Sequence, residues 1–386
     1  MSLQAQHVQH GRTKIDTTAA YRLSEVRVTG KTGVTDALRA APGIKLRETG
    51  GVGGQTNIML DGMDAKYVKV FIDGVPQEGV GSAYRLSNIP AGMADHIEVY
   101  KGVVPVEFGT DAMGGVINIV TRRRPFQWYA DASYSYGSFN THRTTVRFGQ
   151  NLKHGWMYDV SFNQNYSDND YKVKTFVTQF LDNGFEQTER NKIETVRRFH
   201  GRYHNETATA VIGVKERRWA DRLQLNMTYS HEYQQIQNGV RQEIVYGQKH
   251  RKGYVLMPRL TYAKHHFLTD GLQVSADVAY SRNVSYNVDT TAYKYNWYGQ
   301  RIRTGSMGEQ SYQNTESVTA IWTARLAAKY QWARQHLLTA NYSFNNFDRK
   351  NRSYLQSSSR ITDFSIPKKT TKHIAGLSYH FTPSRL

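Results

Sequence analysis

Several side chains in this 386-residue sequence are of types that could do chemistry, so their spacing is the first thing to weigh. His265 and His266 are neighbours in an alternating segment, which sends them to opposite faces and rules out one shared metal. Asp168-Asn169-Asp170 would suit calcium, but the twelve-residue loop with its closing glutamate is missing, so a polar turn is the better reading. There is no cysteine, which removes disulfides and thiolate metal sites. No nucleophile triad, phosphate-binding loop or zinc signature is present, so no catalytic residue, metal ligand or cofactor is expected. What remains is a binding pattern. The loop from Gln77 through Ser82 to Tyr84-Arg85, with Arg47-Glu48 upstream, offers a ring to stack on a planar ligand and a guanidinium to pair with an anion. The plainer reading of the same residues is ordinary loop packing.

The elements that must hold this loop are short. Thr35 is expected to start a helix that Pro42-Gly43 stops. Strands follow at Ile44 to Arg47, Asn57 to Leu60 and Val68 to Ile72, with Asp73-Gly74 as a tight turn. Further strands read His96 to Tyr100 and Gly115 to Val120. This is a small α+β domain of ordinary size.

Near Arg122-Arg123-Arg124-Pro125 the pattern changes to long alternating segments. Trp156, Tyr158, Val160 and Phe162 oppose Asp159, Ser161 and Asn163; Trp322, Ala324 and Leu326 oppose Thr323 and Arg325. Arg325 and Lys329 fall on the polar face, as a lipid-facing cation would cost about 2–4 kcal/mol. Ten strands are expected, at about 128–136, 141–150, 155–167, 205–217, 222–235, 252–266, 271–284, 317–331, 335–347 and 371–382. Long polar stretches at 168–204, 236–251, 285–316 and 348–370 alternate with short turns, the pattern of an outer-membrane barrel. Trp128, Trp156, Phe267, Trp332 and Phe381 gather at the short-turn side as an interfacial girdle. The 26 tyrosines with a mean hydropathy of −0.63 fit that reading. No apolar run is long enough for a membrane helix. The net charge of +18 is scattered without a nucleic-acid motif, and suits solvated loops, anionic headgroups or an anionic ligand.

Three motifs in order carry a resemblance. Asp73-Gly74-Val75-Pro76, His96-Ile97-Glu98-Val99-Tyr100-Lys101-Gly102 and Phe108-Gly109 through Gly114-Gly115-Val116-Ile117-Asn118 to Thr121 are similar to the plug motifs of TonB-dependent outer-membrane receptors. Ser24-Glu25-Val26-Arg27-Val28-Thr29-Gly30 resembles a TonB box, the extended segment that an energising partner pairs by strand addition. A plain first plug strand is the alternative. One departure is Leu60-Asp61-Gly62-Met63, where the family often has Arg-Gly; it questions charge pairs between plug and wall.

The resemblance implies an N-terminal extension (1–22), a TonB-box-like segment (23–30), a plug (31–123) and part of a transmembrane barrel (124–386). It also implies active import across the bacterial outer membrane of a ferric siderophore, haem or cobalamin, rather than carbohydrate, with TonB, ExbB and ExbD as partners, outer-membrane lipid and lipopolysaccharide as surroundings, and no nucleic acid. Family barrels have 22 strands. At this spacing that needs roughly 550 residues after the plug. About 260 follow, so the chain is expected to be a fragment. Two rival readings are a surface binder or signalling receptor without transport, and a soluble β-rich enzyme. A signalling domain would need more than Met1 to Arg22.

Overall fold

The computed structural model describes residues 22–27, 33–77, 81–90, 93–102, 104–108, 112–121, 127–181, 186–354, 361–362 and 368–382. Helix α1 (Val34–Arg39) buries Val34, Ala37 and Leu38 on one face. Thr35 lies inside it rather than starting it. Gly33 caps the end in an extended conformation, and the Val34 N–H is taken by the Ile89 carbonyl at 3.2 Å, so backbone does the work expected of a Thr hydroxyl.

The plug strands are β1 (Arg22–Arg27), β2 (Ile44–Thr49), β3 (Gln55–Leu60), β4 (Val68–Ile72), β5 (Val75–Pro76), β6 (Ala94–Lys101) and β7 (Gly115–Thr121). Five form one sheet in the order β1-β6-β7-β4-β5, with β4 and β7 parallel; β2 and β3 form a separate ribbon. Leu38, Leu60, Ile97, Val99, Ile117 and Ile119 fill the core between α1, the ribbon and the sheet. Their burial is the main source of stability in so small a domain.

The second part is one antiparallel sheet. Its long strands are β8 (Trp128–Gly137), β9 (Thr141–Asn151) and β10 (Trp156–Ser167). After loop strands β11 (Lys172–Thr175), β12 (Thr178–Phe180), β13 (Glu186–Thr188) and β14 (Glu194–Arg197) come β15 (Tyr203–Lys215), β16 (Arg222–Gln235), β17 (His250–His265) and β18 (Leu272–Asp289). Loop strands β19 (Tyr293–Tyr295) and β20 (Arg301–Arg303) precede β21 (Gln313–Ala333) and β22 (His336–Tyr354). The short β23 (Ile361–Thr362) and β24 (Lys368–Phe381) both pair with β22. The ten long strands pair each with the next, and the sheet is open at β8 and at β24 among the described residues.

Burial follows the inverted logic of a membrane wall. Trp156 and Leu326 are half exposed on the outside, while Ser161 (3%), Asn163 (2%), Asn205 (0%) and Ser230 (0%) are covered on the inside by the plug. Polar side chains face the plug and apolar ones the outside, the arrangement expected of a membrane wall. Trp128, Trp156, Trp332 and Phe381 are exposed at the short-turn end, and Trp219 joins them; Phe267 is only partly exposed.

Two expectations need correction. Strands β18, β21 and β22 run several residues past their expected loop-side ends. Past the apolar band both faces of a hairpin can meet water, so alternation fades, as in Asp348-Arg349-Lys350-Asn351-Arg352, while backbone pairing continues. The stretches read as polar loops also hold structure. Ribbons β11–β14, β12–β13 and β19–β20 cover a small core of Val177, Val196, Val245 and Trp297.

Candidate functional site

Two polar clusters between plug and wall flank a cavity that opens toward the short turns, and a further contact runs from Asn341 to the Val106 carbonyl (2.9 Å). The first cluster is built on the Asp73-Gly74 turn between β4 and β5. Both residues take positive φ (47° and 75°). The Asp73 carboxylate accepts from the Thr121 N–H (2.9 Å) and hydroxyl (2.7 Å), closing the turn onto β7. The Gly74 N–H donates to Asn118 Oδ1 (2.9 Å), and the Asn118 amide donates to Glu98 (2.7 Å). The motif residues Asp73, Gly74, Glu98 and Asn118 thus form one relay across β4, β7 and β6. Wall arginines read the outer side of the turn. Arg259 donates to the Asp73 carbonyl (3.2 Å) and Arg325 to the Gly74 carbonyl (2.6 Å). Asp277 lies between them, 2.7 Å from Arg259 and 2.9 Å from Arg325.

The second cluster lies at the plug's other end. At the tip of the β2–β3 ribbon wall side chains press on two glycines, Asn169 on Gly51 and Tyr203 on Gly53. A Cβ on Gly53 would sit 2.1 Å from the Tyr203 ring. Asn169 brackets Val52, accepting from its N–H (2.8 Å) and donating to its carbonyl (3.0 Å). The Ala83 carbonyl accepts from Asn205 (2.8 Å) and Ser230 (2.7 Å). Arg85 donates to the carbonyls of Ser82 and Gly53, and lies 3.5 Å from Glu232, which is fully buried. Arg251 approaches the same carboxylate at 3.3 Å. A buried charge must be paired, and Glu232 has two arginines and the Tyr203 hydroxyl (3.4 Å).

Between these clusters is a cavity of about 630 Å³, bounded by the plug at Ile72, Asp73, Gln77 and Tyr84 and by strands β9, β10 and β15 to β18. It reaches the short turns at Glu216, Asp221 and His265. Tyr84 packs on Ala83, Val255 and Met257, with its ring at the cavity edge. Burial, reinforced by Asp73 and opposed by Arg259, pushes its phenol up to about 12, so it is a neutral donor at any physiological pH. Among the described residues its hydroxyl has no hydrogen-bond partner.

The structure brings only some of the expected binding residues together. Gln77 and Tyr84 line the cavity, whereas Ser82 and Arg85 are used in holding the plug tip to the wall. Arg47 and Glu48 are on strand β2, exposed, and Glu48 pairs with Arg39 instead. Of the other motif residues, Val75 and Pro76 pair with Ile72 and Phe71, Lys101 pairs with Asp61 (3.2 Å), and Gly114 donates its N–H to the Tyr67 carbonyl (2.9 Å). Gly102 and Gly115 take positive φ. Gly109 lies outside the described residues. Ser24 to Arg27 lie in β1, the edge strand of the plug sheet, paired with β6; Val28 to Gly30 lie outside the described residues. Charge contacts between plug and wall are present despite the Asp61-Gly62 departure, through Arg85 and Glu232. Sequence reasoning missed Asn169, Tyr203, Glu232, Arg259 and Asp277. Their signal was available: each charged one sits at lumen-facing parity in an alternating strand.

Residues 13–116 match the family described as TonB-dependent Receptor Plug Domain. Solved structures with a similar fold include the siderophore receptor PiuA from Acinetobacter baumannii, at 13% identity and TM-score 0.54 over 94% of this chain and 62% of that one. A mutant of the ferric enterobactin receptor PfeA from Pseudomonas aeruginosa gives 13% and 0.67 over 94% and 55%. The copper transporter OprC gives 16% and 0.65 over 94% and 52%. The chain spans about half the length of these proteins. At such identities the likeness establishes the fold.

Proposed function

From a chain that carries a TonB-dependent receptor plug joined to the wall of the same receptor fold, we propose active import of a metal chelate, a ferric siderophore in the first instance, across the bacterial outer membrane. One observation carries the reading. A folded plug is held mainly by polar contacts, with one small apolar contact of Ala83 and Tyr84 on Val255 and Met257, against the polar face of a sheet whose other face is apolar. A stopper seated this way can be shifted without unfolding the wall, since hydrogen bonds and buried pairs can re-form and the main core of the plug does not include the wall. The proteins of similar fold include a siderophore receptor, a ferric enterobactin receptor and an iron transporter, which supports an iron chelate over haem or cobalamin. A soluble enzyme would not leave Leu225, Met227, Tyr229 and Leu260 exposed on one face.

TonB, energised by ExbB and ExbD, is the partner this reading requires. Strand β1 is at the sheet edge, with Ser24 to Arg27 in it and its outer side unpaired among the described residues. A partner strand adding there, or peeling β1 from β6, would pull on the sheet that carries the Asp73-Gly74 turn.

The test uses the full-length gene. Its deletion should abolish growth on at least one ferric chelate as sole iron source. Wild-type gene should restore it; a gene lacking residues 24–30 should not, although its product still reaches the outer membrane and binds the chelate. Uptake that persists without TonB would overturn the proposal.

A further inference from the structure

The cavity below the plug tip is not explained by holding the plug in place. Its size falls within the range of small-molecule sites, roughly 300–1,000 Å³. It is bounded above by Tyr84, whose neighbours Ala83 and Arg85 are pinned to the wall, and it runs to the short turns. Tyr84, on the segment Ser82 to Arg85, is one of the plug residues that line this space. Among the described residues the Tyr84 phenol, at the cavity edge, has no hydrogen-bond partner, and the Arg259 guanidinium lines the cavity while donating to the Asp73 carbonyl. Most charged side chains along the wall are self-compensated: Arg147 pairs with Asp159, and Asp221 with Lys264. Such a lining admits a charged ligand without trapping it.

We infer that this cavity is an inner station for the transported ligand, taking a compact chelate that presents oxygen acceptors such as catecholate or carboxylate to Tyr84 and Arg259. The inference rests on the import reading above and deepens it. It has a mechanical consequence. An acceptor oxygen at Arg259 shares that guanidinium with the Asp73 carbonyl and Asp277, so occupancy that draws the side chain toward the cavity loosens one of the two wall contacts on the Asp73-Gly74 turn. Arrival of ligand in the cavity and release of the turn become coupled by one guanidinium.

The absence of cysteine in this chain supplies the probe. Thr228 faces the lumen and lines the cavity. In the full receptor, with any cysteine outside these 386 residues replaced by serine, Thr228→Cys should react with a small methanethiosulfonate reagent. Iron(III) tris-catecholate and 2,3-dihydroxybenzoate should each slow that reaction. Adding Tyr84→Phe or Arg259→Gln should weaken the protection about tenfold, the worth of one strong hydrogen bond. Thr209→Cys, on the neighbouring strand, repeats the measurement if the first variant folds poorly, and heat-modifiable gel migration checks the barrel in each. No protection by either compound, or protection indifferent to both substitutions, overturns the inference. Neither outcome depends on TonB, so failure here is distinguishable from failure of the import reading, which the uptake test decides.

Discussion

Arg325 donates to the Gly74 carbonyl at 2.6 Å across 251 residues of chain, from the middle of the wall to the first motif turn of the plug. A Cβ on Gly74 would stand 2.5 Å from the same guanidinium, so the arginine tip would have to shift, while the φ of +75° is what calls for glycine. Gly74→Ala should therefore loosen the turn by about 1–2 kcal/mol. Amide exchange in the full receptor should quicken over residues 68–77 and stay unchanged in β16. Equal exchange in both would show that the turn does not depend on this contact.

Glu232 is fully buried between Arg85 and Arg251. Removing the acid leaves two guanidinium groups uncompensated, and Glu232→Ala should destabilise the plug–wall contact by about 3 kcal/mol. The expected readout is a lower melting temperature of the plug and faster proteolysis near Gly53, with the barrel's own melting preserved. The double variant Glu232→Gln with Arg251→Gln should recover part of the loss.

Asp221, in a short turn, carries a pH prediction. Burial alone would raise its pKa, but the His265 backbone N–H (2.6 Å), Lys264 (2.9 Å) and the His265 ring bring it down to about 2. A carboxyl depressed in the folded state stabilises it fully above the unfolded value of about 3.9, and that contribution is lost as pH falls through about 2. Thermal melts of wild type and Asp221→Asn should differ at neutral pH and converge near pH 2. A constant gap across that range would assign the difference to shape and not to charge.

Leu260 is exposed on the outer face of β17, beside Thr261 on the inner face. Leu260→Arg should cost about 2–4 kcal/mol of insertion and reduce assembled receptor in the outer membrane. Leu260→Met should assemble normally. If the arginine variant assembles as well as the methionine one, this face does not meet lipid.

The local sequence was enough for the long wall strands and most plug strands. Alternation with period two fixed ten wall strands and put Arg325 on the lumen side, because a lipid boundary penalises any other parity. The three motifs marked the plug because its tight turns and strand crossings accept few residues. Where neither lipid nor a tight turn constrains the chain, the reading lost detail: strands continued past the membrane into hairpins that face water on both sides, and loops hid the ribbons around Trp297.

Which residues meet was a matter of tertiary structure alone. Tyr84 and Arg85 are adjacent in sequence and alike as ligand candidates, yet one edges a cavity and the other holds the plug tip to the wall. Asn169 reads as a turn residue and clamps Val52, 117 positions away. Periodicity reports the face on which a side chain lies; its partner depends on how a separately folded plug is seated in the wall. That seating is set by long-range hydrogen bonds and buried pairs, which leave no pattern between neighbours in the chain.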